Sequence, residues 1–149
     1  MTAEAPDGIT ERVRYYRTIC GLPCGPHANS GRIILRTWDI GAITLPMPLG
    51  EGVHEHLVAA NTPGPVIGHD NDRWTLLTRP HRLDGDMMLA ARLHAINAHL
   101  VPCGATVLLP GPDDEAARRM RWILKPRDMF RPAMETVLAA LDYVVEAGR

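Results

Sequence analysis

The apolar positions of this 149-residue chain fall into short runs whose period changes along its length. In "TERVRYYRTI" (10–19), Val13, Tyr16 and Ile19 recur at helical spacing and Thr10 stands where a cap belongs, so the segment predicts a short helix. Pro23 and Pro26 stop it, and "NSG" at 29–31 signals a turn. "RIILRTWDIGAITLP" is rich in β-branched residues and breaks near Gly41, which predicts strands over 32–38 and 41–45. With "LPC" ahead of the turn, these predict an antiparallel meander. "PLGEGVHEHLVAAN" predicts a helix over about 50–60, with Val53, Leu57 and Val58 apolar and Asn61 at its end. "TPGPVIG" leads through a loop into a short buried strand, and "HDND" is a turn. "RWTLLTRP" predicts a further strand by its alternation.

The most regular helical pattern is "DGDMMLAARLHAINAHL" (84–100), where Leu89, Leu93, Ile96 and Leu100 share one face behind Asp84 or Asp86 as the cap. "GATVLLPGP" predicts a strand stopped by Pro110. "DDEAARRM" is a polar connection with room for one helical turn, and "RWILKP" is another short strand. A closing helix starts near Pro132, buries Met134, Val137, Leu138, Leu141, Val144 and Val145, and ends at Gly148. Strands and helices in this order predict an α+β fold: a mixed, mainly antiparallel sheet with three or four helices packed on it. Residues 1–9 read as a flexible leader and 10–149 as a single domain.

Composition narrows the classes. Apolar residues make up 46% and charged residues 22%, ordinary for a globular chain that buries roughly 70% of its unfolded surface. The formal charge of −1 supplies no global attraction to nucleic acid or membrane. No apolar run reaches the roughly 20 residues of a membrane span, so no membrane partner is expected. "MTAEAPDG" is polar and acidic and no apolar signal segment follows, which predicts a cytoplasmic protein. Arginine dominates the basic residues, with Lys125 the single lysine, as a GC-rich bacterial genome would favour. In a reducing compartment Cys20, Cys24 and Cys103 are thiols or ligands.

Three segments together carry a family resemblance: "IGAITLPMPLGEGVHEHL" (40–57), "GPVIGHDNDRWTLLTRP" (64–80) and "VPCGATVLLPGPDDEAARRMRWILKP" (101–126). This succession resembles small actinobacterial proteins related to the N-terminal domain of bifunctional DNA primase/polymerases, in which similar "RW" strands and "LLP" stretches recur. The resemblance covers about residues 22–126 and implies a scaffold related to nucleotides or nucleic acid. The family's catalysis uses strand-borne carboxylates that hold two metal ions, beside a histidine on a neighbouring strand. Here the paired acids Asp70/Asp72, Asp84/Asp86 and Asp113/Asp114 fall in turns or helix starts. A shortened relative without polymerase activity is therefore expected, with no cofactor.

Four constellations are candidates for chemistry. Arg118, Arg119, Arg121, Lys125, Arg127 and Arg131 form a basic run, which Arg73, Arg79 and Arg82 join if the two "RW" strands are neighbours. Arginine forks suit phosphate, so this face is the expected contact for nucleotide, nucleic acid or an acidic protein surface; a solvated face paired with nearby acids is the plainer alternative. Cys20, Cys24 and His27 have the ligand types for Zn²⁺, with a fourth ligand needed from Cys103, His54 or His56. The same cysteines equally suit buried apolar fillers, with His27 a turn residue. His69, Asp70 and Asp72 suit Mg²⁺ or phosphate, or simply an Asx-rich turn. "HEH" at 54–56 points its histidines to different sides of a solvated helix. No phosphate loop or nucleophile elbow occurs. The expected function is a non-catalytic binding or regulatory domain. The alternatives are a metal-dependent enzyme, either a residual nucleotidyltransferase or a Zn-supported hydrolase, and a subunit docking on a protein partner through the helix at 132–147.

Overall fold

A computed structural model describes residues 4–148, with side chains from residue 8. The chain runs α1 (Glu4–Thr18), β1 (Cys24–Pro26), β2 (Ile33–Arg36), β3 (Gly41–Pro46), α2 (Met47–Ala59), β4 (Val66–His69), β5 (Arg73–Thr78) and α3 (Met87–Ala95). It continues β6 (His99–Leu100), β7 (Thr106–Leu109), α4 (Pro112–Ala116), β8 (Met120–Leu124) and α5 (Met134–Ala147). The fold is α+β. Helix α1 begins inside the segment read as a leader, of which residues 1–3 lie outside the described residues.

The strands form two sheets, and every pairing is antiparallel: β1-β2-β7, and β6-β3-β5-β4-β8. The meander expected across residues 24–45 is therefore cut in two. β1 and β2 form the hairpin that "NSG" promised, closed by His27 N–H to the Arg32 carbonyl, with Gly31 at φ +69°. β2 and β3 belong to different sheets. Between them Thr37 still follows the β2–β7 register, its N–H donating to the Ala105 carbonyl, and the chain leaves that sheet at exposed Trp38.

The five-stranded sheet is buried on both faces, which explains its near-continuous apolar strands. Successive side chains alternate between two cores. Ala42, Ile67, Leu77 and Met120 face the three-stranded sheet and α1, where Tyr16, Leu22, Ile33, Leu35 and Leu109 meet them. Ile43, Leu45, Trp74 and Leu76 face the helical layer of α2, α3 and α5, against Val53, Leu57, Leu93, Val137 and Leu141. α2 approaches so closely that a Cβ on Gly50 would lie 2.8 Å from the Trp74 ring.

Both inner helices end by one device. Asn61 and Asn97 take left-handed backbone (φ 62° and 61°), and the next amide bonds back five residues, Thr62 to Leu57 and Ala98 to Leu93. That stop corrects the helix expected over 84–100. Asp86 caps its start through Leu89 N–H at 3.0 Å, but Asn97 turns the chain before Leu100, which enters β6. Among the described residues, no helix is long and apolar enough to cross a membrane.

Candidate functional site

The two "RW" strands are not neighbours. β4 lies between them, with Gly68 opposite Trp74 on one side and Arg121 on the other. The expected basic face is consequently split between the two ends of the sheet. Arg73, Arg118, Arg119 and Arg121 gather at the end that carries the β4–β5 turn. Arg79, Arg82, Lys125 and Arg127 follow the opposite ends of β5 and β8.

In the first group the arginines have different tasks. Arg119 donates twice to Asp114, at 3.1 and 3.3 Å, and Arg32 pairs with the same carboxylate oxygen at 2.9 Å. Asp114 is buried and its other oxygen accepts the Gly111 N–H at 3.0 Å. Arg119 thus fastens α4 to β8. Arg118 and Arg121 are exposed around a hollow of about 360 Å³ that also carries Asp70, Asp72 and Glu115, so opposite charges offset there.

Arg73 stands apart. It leads β5 into the space between the two sheets, where a cleft of about 300 Å³ opens. The β3–β5 register sets Thr44 opposite Thr75 on this face. Arg73 Nη2 donates to Thr44 Oγ1 at 3.1 Å, and His69 Nε2 and Thr75 Oγ1 lie 2.8 Å apart. Asn71 and Thr106 add polar groups, while Val101, Val107 and Leu108 form an apolar wall. Among the described residues no carboxylate lines this cleft, and Arg73 takes part in no ion pair. The turn that presents these side chains is fixed: Asp72 takes left-handed backbone at φ 60°, and its carbonyl accepts the first amide of α2 at 2.9 Å.

Burial pushes the His69 imidazole below its ordinary value; Asp70 acts against this, and Arg73 and Arg32 add to it. Near neutral pH the cleft therefore holds one fixed positive charge, a neutral imidazole and three threonine hydroxyls. Such a donor-rich, singly charged recess is suited to an oxyanion. A larger hollow of about 460 Å³ lies between α3 and α5, but it is floored by Leu and Ile side chains and rimmed by charges of both signs.

The Zn²⁺ candidates do not converge. Cys20 and Cys24 are buried in the core facing α1, and the Cys20 thiol points at the Pro126 carbonyl at 3.6 Å. Burial raises the Cys24 thiol to about 11. His27 lies beyond the end of β1, exposed, with Nδ1 3.1 Å from Ser30 Oγ. Among the described residues no three His, Cys, Asp or Glu side chains come together as a metal site, at these positions or at His69, Asp70 and Asp72. The "HEH" histidines do diverge as i and i+2 positions must. They are half-buried rather than solvated, His54 against Trp74 and His56 against Tyr143.

No protein family, curated protein or solved structure matches this chain.

Sequence reasoning singled out Arg73 and His69 but missed Thr44, Thr75, Asn71 and Thr106. One signal for the first two was present: a threonine at the same-face position of each of two apolar strands, "GAITLP" and "RWTLLT". Only the β3–β5 register turns those two letters into one site.

Proposed function

We propose that this domain binds a small phosphorylated ligand of nucleotide size, without turning it over, in the cleft between its sheets. Arg73 is the charge partner of the phosphate, and His69, Asn71, Thr44, Thr75 and Thr106 supply the remaining polar contacts. The observation that carries the reading is an arginine that has, among the described residues, no carboxylate partner and stands in a recess of hydroxyls that no acid lines. A volume of about 300 Å³ is at the small end of ligand clefts, which favours one nucleotide over a strand. An extended nucleic-acid track needs contiguous cations and stacking aromatics. Here the basic residues divide between two ends, and no Phe, Tyr or Trp lines the cleft among the described residues. A nucleotide in this position also suits the resemblance to primase/polymerase domains. The regulatory role expected from the sequence follows if occupancy of the cleft alters what the domain contacts. Nothing in the placement of Cys20, Cys24 and His27 favours the metal-dependent enzyme.

Thermal unfolding in the presence of inorganic phosphate, AMP, ATP and a dT decamer tests the reading. Ligand at 100 times its Kd stabilises a fold by about 2.7 kcal/mol, or roughly 5–10 °C at this chain length. A mononucleotide should give that shift, and Arg73→Ala should weaken binding about 10- to 100-fold through one lost charge-assisted contact. Absence of any shift with millimolar mononucleotide, or an unchanged shift in Arg73→Ala, refutes it. Binding of the decamer alone, lost on Arg118→Ala and Arg121→Ala, would move the site to the neighbouring hollow.

A further inference from the structure

The overall charge of −1 hides a local excess of the opposite sign. The end of α1 and the loop after β8 are fastened together. Tyr15 Oη donates to the Pro126 carbonyl at 2.9 Å, Arg131 Nη1 donates to the Cys20 carbonyl at 2.9 Å, and Lys125 Nζ sits 5.0 Å from the Tyr15 ring centre. Met129 packs on Gly21, where a Cβ would come within 3.0 Å of its Cγ. This joined tip presents three large apolar side chains to solvent: Ile19 is 48% exposed, Met129 63% and Phe130 49%. Lys125 and Arg127 stand exposed beside them, and Arg14 and Arg17 are exposed on the other flank of α1. Among the described residues the acids nearby are Asp128, one oxygen of which accepts the Phe130 N–H, and Glu11 further along α1. Beside Phe130 a recess of about 290 Å³ is lined by Lys125, Arg127, Asp128 and the Pro63–Pro65 turn, two cations against one acid.

We propose that this tip docks reversibly on an anionic membrane surface, with Ile19, Met129 and Phe130 entering the headgroup layer and Lys125 and Arg127 contacting lipid phosphates. Apolar side chains ringed by arginine and lysine are the pattern of interfacial binding, and no spanning helix is needed for it. Size argues for lipid over a protein partner. Three such side chains expose on the order of 300 Å² of apolar surface between them, against roughly 450 Å² of apolar area per partner in a stable protein interface. A bilayer imposes no shape and accepts projecting tips, and the recess, in which Lys125 and Arg127 outnumber Asp128, has room for a headgroup. The proposal is independent of the cleft.

The test is co-flotation of the full chain with vesicles of phosphatidylcholine alone, and of phosphatidylcholine with 30% phosphatidylglycerol, at 0.1 and 0.5 M NaCl. Binding is expected to the anionic vesicles only, and to fall at the higher salt. Lys125→Gln with Arg127→Gln should weaken it about 25-fold, at about five-fold for each cation lost near an anionic surface. Met129→Ser with Phe130→Ser should weaken it at least ten-fold with the circular dichroism unchanged, since both side chains are exposed. Arg73→Ala should leave it intact. Equal binding to both vesicle types, no flotation of the unsubstituted chain, or indifference to both double variants overturns the proposal. So does preferential capture of an acidic peptide, which would point to a protein partner.

Discussion

Tyr16 links the two sheets, and loss of its hydroxyl isolates the strength of that link. The side chain is fully buried; its O–H donates to the Pro110 carbonyl at 2.6 Å and accepts the Trp122 indole N–H at 2.9 Å. Pro110 follows β7 of the three-stranded sheet, and Trp122 lies on β8 of the five-stranded one. In Tyr16→Phe the ring still fills its place against Trp122, whose centre is 5.7 Å away, so no cavity opens. Pro110 also keeps a bond from Arg12 Nη1 at 3.2 Å. The substitution also removes the long 3.5 Å bond from Arg12 Nη1 to the hydroxyl, a weak contact whose donor keeps Pro110; the main losses are the bond to Pro110 and the orphaned indole N–H, about 1 kcal/mol and 1–2 kcal/mol respectively. The expected cost is about 2–3 kcal/mol, or roughly 4–12 °C in Tm. Urea unfolding measures it: the midpoint should fall with the slope m unchanged, because the surface exposed on unfolding is the same. Trp122→Phe completes a double-mutant cycle and should show a coupling of at least about 0.5 kcal/mol. A Tyr16→Phe protein within 0.5 kcal/mol of the original, or additive single variants, refutes the reasoning.

Other expectations follow from single contacts. Gly41→Ala places a Cβ against the Thr78 hydroxyl and 2.6 Å from the Arg79 carbonyl, which is backbone and cannot swing aside, so the protein should be poorly folded by circular dichroism. Asp114→Ala leaves Arg32, Arg119 and the Gly111 N–H without their acceptor; because both arginines reach solvent, the loss read from urea midpoints should be about 2 kcal/mol rather than the 3–5 kcal/mol of a fully buried pair. His69 and His54 both titrate below the ordinary histidine value when folded, chiefly through burial. Above about pH 6.5 both states are neutral and nothing changes; as pH falls below it the unfolded chain takes up protons first, so stability declines. Urea midpoints between pH 8 and 5 should show that decline, shallower in His69→Gln. Ellman's reagent at pH 8 should modify exposed Cys103 at once and buried Cys24, held near 11, only on unfolding.

The elements were legible where a side chain's period is set by one partner surface. Leu89 and Leu93 announced α3, and Val137 and Leu141 announced α5, since each helix buries one stripe. What the letters hide is decided by contacts remote in sequence. The break near Gly41 reads as a turn within one meander, yet it is the point where the chain leaves one sheet for the other. Leu100 keeps helical spacing with Ile96 although Asn97 has ended the helix between them, because β6 needs an apolar residue too. Arg73 and Arg121 carry the same charge and the same following tryptophan, but β4, inserted between them, sends one into the cleft and the other to the rim of the neighbouring hollow. Cys20 and Cys24 have metal-ligand spacing, and only the direction of β1 shows that both thiols turn inward while His27 turns out.

The pairing of β2 with β7 joins Ile33 to Leu109 across 76 positions of the chain. During synthesis the early hairpin therefore waits on the ribosome with its second edge bare until residue 109 has emerged, whereas β3, β4 and β5 can zip up soon after residue 78. A nascent chain stalled between those two points exposes Ile33 and Leu35 on an open edge, the kind of strand that chaperones guard and aggregates recruit.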